Sequence, residues 1–326
     1  MVVTNNEVFC RIRESAKETT ANGLRNVGFR AMGTWCQIMF AARSHEAGDF
    51  FVQEAIYWVA NFEARYSRFL PDSLVSQINA AAGRAWVEID EQTEQILGLC
   101  HGLYFFTHGT FDPTALPLIK LWDWKANRVP DEAAIHAARE LCGWNKLQRR
   151  PGAVFLPRAG MSLDLGGIGK EYAVDRVLQL AQEHELNSAL VDFGHDLKVH
   201  GVPPDKPAWQ IGLDDPKQPA KCWASLTVKD KAVATSGDYL LNFTHDGRRY
   251  GHIIDPRSGY PVDNGCLAAT VIAPTCTVAG ILSTTAFILG AEEGLALVES
   301  YSGASGCIVT NNSLHQTKNL YEYLLP

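Results

Sequence analysis

Residues 264–291 carry no charged side chain, and Pro274 divides the run in two. A stretch this long and this apolar has to be buried, so the rest of the chain must fold around it. The two halves differ in texture. Residues 267–273 are short and rich in β-strand formers, which predicts a buried strand. Residues 277–289 are longer and free of proline, which predicts a buried helix. Pro274 and the recurring Thr and Ser residues argue against a membrane span.

The remainder is ordinary globular sequence. The chain has 326 residues, 46% of them apolar and 20% charged, which is ample for a sizeable core. With 29 basic and 36 acidic residues the net charge is −7, and no long basic run is present. That balance argues against nucleic acid as a partner. Eight cysteines are too sparse for a disulfide framework, and none forms a CxxC pair. Cys36, Cys276 and Cys307 lie in apolar stretches that suit free thiols. The first twenty residues have no apolar run ahead of their charges, unlike a signal peptide. Both points predict a reduced, cytoplasmic protein.

Residues 1–26 read as a polar arm or short helix, followed by one α+β unit over 27–326. Strand patterns occur at 30–41, 86–89, 162–165, 189–193, 197–200, 209–213, 223–228, 232–235, 239–244 and 250–254. Helical spacing occurs at 45–66, 91–108 and 168–184, with Asp90 as a cap. Asp246-Gly247 predicts a hairpin turn.

Three segments can carry chemistry. LDLGGIGKEYAVDRV (163–177) reads as strand, glycine turn and helix, which gathers free N–H groups and a helix dipole at one place. Either a tight turn or a phosphate site satisfies that pattern. It is neither a Walker loop nor GxGxxG. AVATSGDYLLNF (232–243) has a Ser-Gly-Asp turn that leaves a strand edge open to a flat ligand. GHIIDPRSGYPV (251–262) holds a His, an Asp and an Arg within six residues. No HExxH, GxSxG or zinc spacing occurs.

In chain order these segments stand with Met32-Gly33-Thr34, RYSRFLPDSLVSQIN (65–79), GTFDPTALPLIKLW (109–122), LVDFGHDLKVHG (190–201), WQIGLDDP (209–216) and TVIAPTCTVAGILSTTAFILG (270–290). The series resembles the ApbE family of FAD:protein FMN transferases, from about Met32 to the C-terminus. The resemblance implies mixed or antiparallel sheets with flanking helices around a central flavin cleft. It implies FAD and Mg²⁺ in that cleft, cleavage of the pyrophosphate, and release of AMP. FMN would pass to a Thr or Ser hydroxyl of an acceptor protein carrying a Ser-Gly-Ala-Thr-like motif. By the same resemblance the Gly169 carbonyl and the Thr284 side chain would hold the metal. Gly166, Gly167 and Lys170 would face phosphate. Met32, Tyr66, Ser73, Asp112, Asp196, Ser236, Gly237, Asp238, Ile253 and Asp255 would bind FAD. His252 would bind there too and act as general base.

The departures from the family pattern are as informative. Gly280 stands where the family has its metal carboxylate, an Asp. Glu171, His195 and Leu116 stand where it has glycines. The loss of a ligand leaves open a flavin-binding protein without transferase activity, or an FAD pyrophosphatase. Glu171 is a candidate substitute for the missing carboxylate. Residues 299–305, ESYSGAS, resemble the acceptor motif, but a glycine turn between helix and strand explains them as well.

Overall fold

The computed structural model of the protein describes residues 5–122, 124, 127–218, 221–238 and 241–324. The charge-free run lies at its centre, as strand Cys266–Ala273 and helix Cys276–Leu289. Every residue of the strand except Leu267 is buried. That removes the in–out alternation expected of a strand with one wet face. In the helix, only Thr284 and Leu289 are not fully buried. Thr275 caps it, its hydroxyl accepting from the Val278 amide at 3.3 Å.

Among the described residues nine strands form one antiparallel sheet. Their spatial order is Lys17–Ala21, Leu24–Ala31, Thr34–Ala41, Ser188–Phe193, Asp196–Gly201, Ala232–Gly237, Cys266–Ala273, Ser305–Thr310 and Leu314–Gln316. Alternate residues of the inner strands enter different cores. Ala189, Val191 and Phe193 pack under the helices His45–Tyr66, Gly169–Glu183 and Cys276–Leu289. Leu190 faces the other way, against the hairpin of Trp209–Asp214 and Cys222–Val228. A second cluster joins Val75, Ile96, Leu97, Trp144, Val154 and Leu163 to Phe62 and Tyr66 of the His45 helix. Met32 packs against both this cluster and the main core.

Several expectations need correction. Of the arm or short helix expected at 1–26, residues 1–4 lie outside the described residues, and the helix alternative is the one found. Asn5–Ser15 is a helix with Val8 and Ile12 buried in the main core, and Lys17–Ala21 and Leu24–Ala31 begin the sheet. Residues 30–41 are not one strand, because Met32 and Gly33 take φ of 49° and 74° and turn the chain back on itself. Residues 162–165 are coil, not strand, held by Asn79, which exchanges two hydrogen bonds with the Leu163 backbone, and by the Asp164 amide, which donates to the Pro113 carbonyl at 2.8 Å. Of the strand expected at 239–244, residues 239 and 240 lie outside the described residues, and pairing begins at Asn242. The Asp246-Gly247 turn is present, with φ of 48° and 75°.

Candidate functional site

The helices Gly169–Glu183 and Cys276–Leu289 run antiparallel and are fastened by one carboxylate. Asp175 accepts from the amides of Cys276 and Thr277, each at 2.9 Å, and from the Thr277 hydroxyl at 2.8 Å. It also accepts from Lys198 Nζ at 2.8 Å. Glu171 lies four residues earlier, on the same helix face. It meets the facing helix at Gly280, where a Cβ would stand 2.6 Å from Glu171 Cγ. Thr284 lies one turn beyond Gly280 on that helix.

Glu171 is 5% exposed. Its Oε1 accepts from Lys170 Nζ at 3.0 Å, while its buried Oε2 has no hydrogen-bond partner. Lys170 Nζ also donates to Asp196 Oδ2 at 2.8 Å. Burial opposes charge on all three groups, and the outcome differs for each. The Lys170 ammonium is held above its usual range because two carboxylates outweigh its burial. Burial raises Glu171, but Lys170 and a hydrogen bond with the Asp196 carboxyl together hold it below the usual carboxylate range. Burial, aided by the Glu171 charge, pushes Asp196 up to about 7. Further along the Cys276–Leu289 helix, Ser236 Oγ lies 2.8 Å from Thr284 Oγ1 and 2.9 Å from Ser283 Oγ.

Among the described residues no three His, Cys, Asp or Glu side chains gather as a metal cage. The donors at hand are carboxylates, hydroxyls and backbone carbonyls, an all-oxygen set that suits Mg²⁺. A buried carboxylate oxygen without a donor is what a hard cation satisfies, so the residues present fit the metal.

A pocket of about 340 Å³ opens at the start of the Gly169 helix. Its apolar walls come from Met32, Phe62, Tyr66, Phe69, Leu70 and Leu165, and Gly166, Gly169 and Lys170 form its polar end. Glu63 holds the Met32 turn in place, accepting from the Met32 amide at 2.9 Å and pairing with Arg11 at 2.7 Å. The Tyr66 hydroxyl rests 2.9 Å from Thr93 Oγ1, and Arg68 pairs with Asp164 at 3.0 Å.

Thus Met32, Tyr66, Gly166, Gly169 and Lys170 line one pocket. Asp196 touches Lys170, and Ser236 touches Thr284. Gly166 and Gly167 are exposed, but the Gly166 amide already donates to Asp164 at 2.9 Å. Other candidates are engaged in local scaffolding. Ser73 caps helix Leu74–Ala80. Asp112 accepts from the Thr114 amide and hydroxyl at 2.8 and 2.6 Å. Asp238 grips Arg249 through both oxygens, at 2.8 and 2.9 Å, beneath Gly251, where a Cβ has no room. Asp255 grips Arg257. Gly237 ends its strand opposite Ala268, and Ile253 packs against the main core. Leu116 is buried and His195 sits on a hairpin turn with φ of 72°, so neither faces Gly280 as Glu171 does. Ser305 is 4% exposed and opens a strand, and Gly303 takes φ of 77°, so ESYSGAS is a turn.

His252 has an exposed edge. Its backbone amide donates to the Leu241 carbonyl at 3.1 Å, and its Nδ1 lies 3.3 Å from the same oxygen. A carbonyl only accepts, so Nδ1 carries the proton and Nε2 keeps its lone pair. Packing on its inner side lowers the imidazole pKa below the usual histidine value, which favours the neutral form near pH 7.

Reading the sequence missed Arg11, Glu63, Arg68 and Asp175. Only Asp175 had a usable signal, the four-residue spacing from Glu171 that places both carboxylates on one helix face.

Comparison with known proteins identifies the family and the fold. The model of the ApbE family matches residues 32–309. The FAD:protein FMN transferase of Treponema pallidum (strain Nichols) is 32% identical over 307 residues, covering 85% of this chain and 82% of that protein. The FAD:protein FMN transferase of Klebsiella pneumoniae (strain 342) is 35% identical over 246 residues, covering 74% and 76%. The crystal structure of the ApbE protein from Thermotoga maritima superposes with a TM-score of 0.84 at 29% identity, covering 95% of this chain and 100% of that one. The chain therefore belongs to the ApbE family.

Proposed function

We propose that this chain is an FAD:protein FMN transferase. An acceptor hydroxyl attacks the FMN-side phosphorus of FAD. A new P–O bond forms to the acceptor, the bond to the bridging oxygen breaks, and AMP leaves carrying that oxygen. The observation that carries this reading is the pocket itself: apolar side chains from Met32 to Leu165 line it up to Gly169 and Lys170, where the ion pairs begin. Apolar walls suit an isoalloxazine ring, and a part-buried ammonium suits a phosphate.

Each residue has a distinct task. Lys170 opposes phosphate charge from a fixed position between Glu171 and Asp196. Met32 and Tyr66 bound the ring's place, with the Met32 turn held by Glu63. His252 takes the acceptor proton on Nε2, the atom its bond to Leu241 leaves free. The Gly169 carbonyl and Thr284 hydroxyl would hold Mg²⁺ beside the phosphates. When bound, the ion neutralises charge on the pyrophosphate. The acceptor is a protein segment carrying a Ser-Gly-Ala-Thr-like motif. The cytoplasm is the proposed compartment, supported by the eight free cysteines. No helix among the described residues is long and apolar enough to cross a membrane.

A second reading rests on Gly280, which leaves that position without a carboxylate: the chain binds FAD but transfers nothing. Acceptor-dependent AMP release separates the two. Transfer gives one AMP per modified acceptor. AMP with free FMN in the absence of acceptor marks a pyrophosphatase, and no AMP at all marks a binder.

A further inference from the structure

The carboxylate absent at position 280 has not left the site. We infer that it has moved to the opposite helix, and that Glu171 is the carboxylate metal ligand of this chain. The inference rests on the transferase reading and adds to it a ligand that the family pattern does not place there.

Two independent observations converge on it. The first is steric. Gly280 leaves its helix bare where Glu171 crosses, and a Cβ at 280 would stand 2.6 Å from Glu171 Cγ and 3.2 Å from its Cδ. The Glu171 side chain therefore fills the volume into which a residue at 280 would project. Glycine at 280 and glutamate at 171 form a matched pair, since either helix can deliver a carboxylate there but both together collide. The second is polar. Glu171 is 5% exposed, Lys170 engages only Oε1, and Oε2 is buried with no hydrogen-bond partner. An unpartnered buried carboxylate oxygen costs free energy unless something positive completes it. A role as the counter-ion of Lys170 explains Oε1; the Asp196 carboxyl also meets Glu171, and two carboxylates side by side call for a proton or a cation between them. Thr284, one turn beyond Gly280, is among the few residues of that buried helix not fully covered, and its hydroxyl reaches Ser236 at 2.8 Å. A carboxylate on one helix and hydroxyls beyond it form an oxygen set for a small divalent cation.

The test uses Mn²⁺ as the probe, with free Mn²⁺ read by electron paramagnetic resonance in the presence of FAD. Three proteins are compared: the wild type, Glu171→Gln, and the swap Glu171→Gly with Gly280→Asp. Glu171→Gln keeps the shape and removes the charge, and should weaken Mn²⁺ binding at least about tenfold. The swap returns the carboxylate from the other helix and should recover most of that loss, although it leaves Lys170 with Asp196 as its one carboxylate partner. A thermal melt confirms that each variant is folded. The inference is overturned if the wild type binds FAD but no Mn²⁺ beside it, or if Glu171→Gln binds Mn²⁺ as the wild type does. It is also overturned if a folded, FAD-binding swap variant fails to recover affinity. Titration of metal-free wild type with FAD keeps the two ideas apart, because absence of FAD binding sinks the transferase reading and not the placement of Glu171.

Discussion

At the scale of single residues, His252 makes the sharpest claim, because the carbonyl of Leu241 sets which ring nitrogen is free. His252→Ala should slow FMN transfer by roughly 10²–10⁴ while FAD affinity changes little. Stopped-flow transfer and flavin titration measure the two separately. The lowered pKa adds a sign. The working form is neutral, so transfer should hold steady from pH 8 to 7 and fall only as acid protonates the ring, with a midpoint below the ordinary histidine value near 6.5. A pH–rate profile checks it. Gly280 carries a second claim. Sequence alone suggests that Gly280→Asp by itself restores a ligand and tightens metal binding. The geometry reverses this, since the new Cβ would overlap Glu171. The single variant should lose on the order of 1–3 kcal/mol in a denaturant titration. Residue types were legible in the sequence, but their engagements were not. An Asp beside a turn serves a ligand or its own backbone equally well, and Asp112, Asp238 and Asp255 all have local partners here.

At the scale of elements, legibility followed burial. The helices were readable because their caps and apolar faces are strong, as at Asp90, whose Oδ1 accepts from the Thr93 amide at 3.0 Å. The charge-free run was readable because burial on all sides permits no charge. Lys17–Ala21 was not, since KETTA is exposed at every position and shows no apolar period. The two- and three-residue strands, such as Val87–Glu88 and Gln148–Arg150, are too short to show a period. The seam between the two central helices depends on Asp175, which satisfies two helix-end amides, a hydroxyl and Lys198. Asp175→Ala leaves those donors without an acceptor and should cost about 2–4 kcal/mol. Because the same two helices carry Glu171 and Thr284, metal affinity should fall with stability, which calorimetry and Mn²⁺ binding can follow together.

At the scale of the whole molecule, the pocket lies on the seam between two apolar clusters. Met32 packs against both, and the Arg11–Glu63 pair holds its turn from beneath. The N-terminal segment is thus part of the architecture. Truncation to residue 16 removes buried Val8 and Ile12 and should lower stability by on the order of 3–5 kcal/mol, read as a drop in melting temperature. FAD affinity should weaken as the Met32 turn loosens. The α+β class and the flavin reading were accessible from ordered motifs, whereas the crossing of Glu171 over Gly280 needed three dimensions. The central claim remains the transfer itself. Its most direct measurement is the intact mass of an acceptor domain bearing a Ser-Gly-Ala-Thr segment, after incubation with this chain, FAD and Mg²⁺. The account predicts a gain of one FMN on the acceptor threonine, lost when that threonine is replaced by alanine. An acceptor of unchanged mass, beside a chain that has bound its FAD intact, would contradict it.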